Sequence, residues 1–90
     1  MRLWILRPRE FPFGNQENPW DPWYDRAFGF LVRAEDEQEA RKLADEEAGD
    51  EKDLYQFPDR QPWTDSKYST CDELLSDGVA EVLMQDFHAA

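Results

Sequence analysis

Phe30-Leu31-Val32-Arg33-Ala34-Glu35-Asp36-Glu37-Gln38-Glu39-Ala40-Arg41-Lys42-Leu43-Ala44 changes its period half-way along. Up to Arg33 it continues a run that starts at Ala27 and is apolar on both alternating sets, the pattern of a strand covered on both faces. From Asp36 the pattern is helical. Asp36 can accept a backbone hydrogen bond at a helix N-terminus, Glu39 three residues later completes a capping box, and Gly49 suits the C-terminal turn. The spacing predicts a helix over 37–48 whose inward stripe is Ala40, Leu43, Ala44 and Ala48. Such small side chains let a helix lie close to a sheet. Glu37 with Arg41 and Lys42 with Glu46 fall at i,i+4, which predicts pairs on the outer face.

Upstream, Arg2-Leu3-Trp4-Ile5-Leu6-Arg7 has strand composition and stops at Pro8, which lacks the N–H a continuing ladder needs. Leu3 with Ile5 and Trp4 with Leu6 are both apolar sets, so this strand too requires cover on two sides. In the 27–33 strand, Gly29 marks a close approach or a bulge. Residues 8–26 carry four prolines and the rings Phe11, Phe13, Trp20, Trp23 and Tyr24. So long an irregular segment is uncommon in a small domain unless it serves a purpose. It is expected to lie over the sheet face that the helix leaves open.

Downstream, residues 50–70 mix charge, proline and isolated aromatics without a period and read as mostly loop. Residues 70–73 fit either a capped helical turn or a strand. Val79-Ala80-Glu81-Val82-Leu83-Met84 reads as a final strand, and Phe87 as an anchor after it. The expected fold is α+β, a single domain over 1–90. It has a small, mainly antiparallel sheet of three to four strands, one helix on one face and the aromatic, proline-rich loop over the other.

Length and composition narrow the function. Ninety residues suit one small domain, and 14% aromatic content gives the chain enough apolar surface to fold despite a net charge of -11. That charge disfavours direct binding to a phosphate backbone, so no nucleic acid is expected as a direct ligand. The lone Cys71 has no disulfide partner within the chain, and with His88 as the single histidine no zinc set can be assembled; no metal and no cofactor are expected. The run 3–6 is too short for a signal-peptide core or a membrane span, which predicts a cytoplasmic protein without a membrane partner. There is no glycine-rich phosphate loop, no G-x-S-x-G and no charged base beside Cys71, so no catalytic residue is assigned and the chain reads as a non-enzyme.

The charge is unevenly placed. Residues 1–33 hold five basic and four acidic groups, a net of +1, and residues 34–90 hold seventeen acids and five bases, a net of -12. The densest acidic stretch, 35–53, includes Glu35, Glu37, Asp45, Glu46, Glu47, Asp50, Glu51 and Asp53. Carboxylates arrayed on a helix and its following loop can imitate a run of phosphates and occupy an Arg/Lys-lined groove. A solvated face that merely keeps the protein soluble is the plainer reading of the same residues. In Pro19-Trp20-Asp21-Pro22-Trp23-Tyr24-Asp25, stiffened rings alternate with acids, which makes Trp20, Trp23 and Tyr24 candidate anchors for cationic side chains, or else a mini-core over the sheet.

The 30–44 segment looks like the strand-then-helix unit of many small bacterial and phage-encoded proteins. In size, acidity and β-β-α-β order the whole chain is similar to phage anti-CRISPR proteins. That resemblance implies an inhibitor that covers the basic, nucleic-acid-binding surface of a partner. The alternative is an accessory module that forms a homodimer or binds a partner subunit through the aromatic loop.

Overall fold

The computed structural model describes residues 1–11, 18–20, 27–52 and 61–85. Strand β1 (Arg2–Pro8), strand β2 (Phe30–Ala34), helix α1 (Glu37–Glu46) and strand β3 (Ser69–Glu73) follow one another along the chain. They build an α+β fold in which a three-stranded sheet of order β2-β1-β3 carries one helix. Both ladders are antiparallel, with Trp4 opposite Val32 and Glu73, and Leu6 opposite Phe30 and Cys71. Residues 70–73, open between turn and strand in the sequence, belong to β3.

Directly opposed residues share a face. One face therefore presents Trp4, Leu6, Phe30, Val32, Ala34, Ser69 and Cys71, and the other Leu3, Ile5, Arg7, Leu31, Arg33, Thr70 and Asp72. The first is the core. Trp4, Leu6 and Ala34 meet Ala40 and Ala44 of α1, and Trp20, Trp63 and Tyr68 complete the cluster. Trp63 is wholly buried, with its ring centroid 4.8 Å from both Trp20 and Phe30 in tilted, edge-on contacts. Burying one such ring contributes about 1.5–3 kcal/mol, and an edge-on pair adds roughly 0.5–1.5 kcal/mol. The indole N–H of Trp4 donates to the Ala34 carbonyl at 3.1 Å, so the ring fills the core without stranding its polar atom.

The helix start follows the capping pattern. Asp36 Oδ1 accepts from Glu39 N at 2.9 Å, and Glu39 Oε1 accepts from Glu35 N at 3.1 Å. The inward stripe departs from expectation. Ala40 and Ala44 are buried, but the third inward residue is Arg41, at 6% exposure, and Leu43 is turned out. Arg41 belongs inside because acceptors wait for it there. Its Nη1 donates to the Trp63 carbonyl (3.0 Å) and Ser69 Oγ (2.9 Å), and its Nη2 to the Ser69 carbonyl (3.1 Å). Its Nε lies 3.5 Å from Glu37 Oε2, so the expected pair forms, but it reaches from the surface into the core.

Two further expectations are corrected. Residues 79–84 are not a strand: no described backbone hydrogen bond joins residues 75–85 to the sheet. Of the aromatic loop, the described rings Phe11 and Trp20 pack on the helix-covered face, beside Tyr68 and Trp63, and not on the far one. The far face is approached instead by the chain leaving β3. Leu74 N donates to the Leu3 carbonyl at 2.8 Å, and residues 74–83 then run beside Ile5 and Arg7. Met84 reaches Gly29, where its methyl group occupies the place a Cβ would take. That is the close approach expected of Gly29. Phe87 lies outside the described residues.

Candidate functional site

The acidic stretch is laid out by α1 and the turn after it. Glu35, Glu37, Glu46, Glu47 and Asp50 are exposed, as are Asp36 and Glu39. Glu37 and Glu39 occupy the first helical turn, where the positive end of the helix dipole favours them. Asp45, Glu46 and Glu47 lie at the opposite end, where the dipole is negative and the last turn holds no basic residue. Lys52 relieves one of them. Its Nζ donates to the Asp45 carbonyl at 2.8 Å and stands 3.9 Å from Asp45 Oδ2, leaving Asp45 half-buried and paired.

Glu51 is removed from this face. It is 3% exposed, and its Oε1 accepts from Trp63 Nε1 (2.9 Å), Ala27 N (3.1 Å) and Gly49 N (3.2 Å). One oxygen thus joins the entry to β2, the turn after α1 and the central indole. The carboxylate is a structural clamp, and a partner cannot reach it. No local pattern marks it out, because Glu51 stands among nine other acids in 35–53 and its three donors are scattered along the chain.

Trp20 is likewise corrected. At 5% exposure it lies in the core against Trp63, and its backbone N–H donates to Asn18 Oδ1 at 2.9 Å. It is a packing residue. Trp23, Tyr24 and Asp53 lie outside the described residues. Of the acids singled out in the sequence, Glu35, Glu37, Glu46, Glu47 and Asp50 are exposed, and Asp45 is half-buried.

Cys71 faces the core from β3. Loss of solvent on burial pushes its thiol up to about 11, against a smaller lowering by Arg41, with Glu37 and Asp72 raising it further. It is a protonated, unreactive thiol at neutral pH. Among the described residues no group of three or more His, Cys, Asp or Glu side chains is placed to hold a metal ion. None of the described helices is long and apolar enough to cross a membrane.

The far face of the sheet is chemically distinct. Among the described residues, Arg7 and Arg33 form no ion pair. Apolar side chains stand exposed around them, from Phe28 and Leu31 to the 75–84 segment. A cavity of about 330 Å³ lies between Ile5, Arg7 and residues 72–83, and one of about 350 Å³ between Arg7, Phe28, Gly29 and Met84. The sheet therefore separates the side bearing the acidic α1 from a more apolar side on which Arg7 and Arg33 stand with Asp72, and Asp77 and Glu81 line the adjoining cavity. A scan against family models gives no match for this chain, and comparison with curated proteins and with solved structures gives none either.

Proposed function

We propose that this chain is a non-enzymatic, cytoplasmic inhibitor of the anti-CRISPR type. It docks the acidic side of α1 on a basic, nucleic-acid-binding surface of a partner protein and so competes with the nucleic acid. The observation that carries the reading is the placement of Glu46 and Glu47. They stand exposed at the negative end of the helix with no basic residue in its last turn, a position that helix stability disfavours. Together with Glu35, Glu37 and Asp50 they give one side of the molecule a negative potential able to steer a cationic groove toward it. The burial of Trp20 weighs against the reading in which the aromatic loop is the interface.

The test is a pull-down with the tagged protein from nuclease-treated bacterial lysate, washed at low and then high salt. Attraction between exposed charges is screened over about 8 Å at physiological ionic strength, so a partner held by this face is released as salt rises. Retention of a nucleic-acid-binding protein at low salt, its release at high salt, and loss of capture by a Glu46→Gln/Glu47→Gln variant are expected. Capture that ignores both salt and the two substitutions would refute the reading.

A further inference from the structure

The far face and the segment that crosses it expose apolar side chains. Phe28, Leu31, Leu75, Val79, Val82 and Met84 are all exposed, Val79 at 82% and Val82 at 77%. Six exposed apolar side chains around one face are more than the singly scattered apolar residues of an ordinary surface. The two cavities beneath the segment share Arg7 as a wall, so the patch is continuous and incompletely filled from within the chain.

We propose that this face is where two copies of the chain associate. Three observations select a second copy as the occupant. The first is charge. Two molecules of net charge -11 repel unless their acids are kept apart, and α1 lies on the opposite side of the sheet, so joining the far faces directs both acidic sides outward. The second is complementarity within the patch. The segment carries Asp77 and Glu81, and the face beside it carries Asp72 together with Arg7 and Arg33, the two arginines without ion pairs among the described residues, so each copy offers both signs to the other.

The third is the segment itself. Residues 79–84 have strand composition but no ladder partner in the described structure. Antiparallel pairing with the same residues of a second copy, about a two-fold axis, sets Val79 opposite Met84, Ala80 opposite Leu83 and Glu81 opposite Val82. No carboxylate then faces another, and the strand that the monomer lacks is completed in the dimer.

The test is sedimentation equilibrium of the full chain over a concentration series, at low salt and at 1 M NaCl. The wild type is expected to move from its 10.7 kDa monomer to a species of twice that mass, with no weakening at high salt, because apolar burial drives the association. Val79→Asp/Val82→Asp is expected to raise the dissociation constant at least about 100-fold. Both side chains are solvent-exposed in the monomer, so an unchanged circular dichroism spectrum separates loss of association from loss of folding. A wild type that stays monomeric up to about 300 μM, or a folded double variant that dimerises as tightly as the wild type, overturns the proposal.

Discussion

Arg41 and Ser69 are joined twice, by Nη1 to the hydroxyl at 2.9 Å and by Nη2 to the carbonyl at 3.1 Å, which ties the middle of α1 to the first residue of β3. The guanidinium holds the helix on the far strand of the sheet, while Ala40 and Ala44 let it lie close to the near one.

Replacing Arg41 with Met keeps much of the aliphatic stem but takes the guanidinium donor from the Ser69 carbonyl and leaves the Ser69 hydroxyl and the Trp63 carbonyl only their long 3.4 Å bond to each other. Leaving buried partners of a charged group unpaired costs about 3 kcal/mol, or roughly 10–20 °C in Tm for a chain of this size. Thermal unfolding followed by circular dichroism measures it. A loss of only a degree or two would mean that the network contributes little.

Glu51 and Glu47 separate the two kinds of acid in this chain. Glu51→Ala removes the acceptor of three N–H groups and is expected to cost about 2–4 kcal/mol, with a change in tryptophan fluorescence as Trp63 loses its partner. Glu47→Gln, at an exposed position, is expected to leave stability nearly unchanged. Urea titrations of both variants decide it, and equal effects would contradict the assignment of Glu51 to the interior.

Glu46→Gln/Glu47→Gln links stability to binding with opposite signs. Removing two negative charges from the negative end of α1 should raise Tm slightly, while the same change weakens capture of a basic partner. A variant that loses stability and binding together would point to a structural role for the pair.

Cys71 sets a pH dependence on the alkaline side. Its thiol, ordinarily near 9.0, is raised to about 11 by burial, so the unfolded chain releases this proton before the folded one does. The stabilisation is complete below about pH 9 and is lost as pH rises toward 11. Cys71→Ala, compared with wild type from pH 8 to 11, should show a shallower decline in stability. Parallel curves would remove Cys71 as the cause. At pH 8 the folded wild type should react with a thiol reagent far more slowly than the urea-unfolded chain.

Gly29 and Met84 form a contact that a double-mutant cycle can read. An alanine at 29 would drive its Cβ into the Met84 methyl group and to 3.2 Å from the Leu6 carbonyl. Gly29→Ala should therefore destabilise the protein less in a Met84→Ala background than in the wild type, and strict additivity of the two changes would argue that they do not touch.

The elements specified by local chemistry were legible in the sequence. The Asp36–Glu39 cap, the strand before it and β1 all follow from neighbouring residues, and helix, sheet and α+β class came with them. What depended on distant partners was not. A helical period marks a stripe but does not say that a serine hydroxyl and two carbonyls sit where Arg41 points, so Arg41 read as a surface residue. Val79 and Val82 have strand chemistry, yet a strand needs a ladder partner as well as propensity, and no described backbone hydrogen bond joins their segment to the sheet. Glu51 and Glu47 are indistinguishable as letters in an acidic run; only the convergence of Trp63, Ala27 and Gly49 on one oxygen separates clamp from surface. The same holds for Trp20, whose ring is claimed by Trp63 from more than forty positions away.

The position of β1 at the centre of the sheet also governs when the protein can be made whole. β1 precedes both its neighbours, yet its second edge is filled only by Ser69–Glu73. On the ribosome β1 emerges with both edges bare and then waits for almost the entire domain to be synthesised before Leu6 meets Cys71. Pairings this remote in sequence form slowly, and an apolar strand with open edges invites other chains in the meantime. Yield in the cell should therefore respond to translation speed and to chaperone supply more sharply than the size of the protein would suggest.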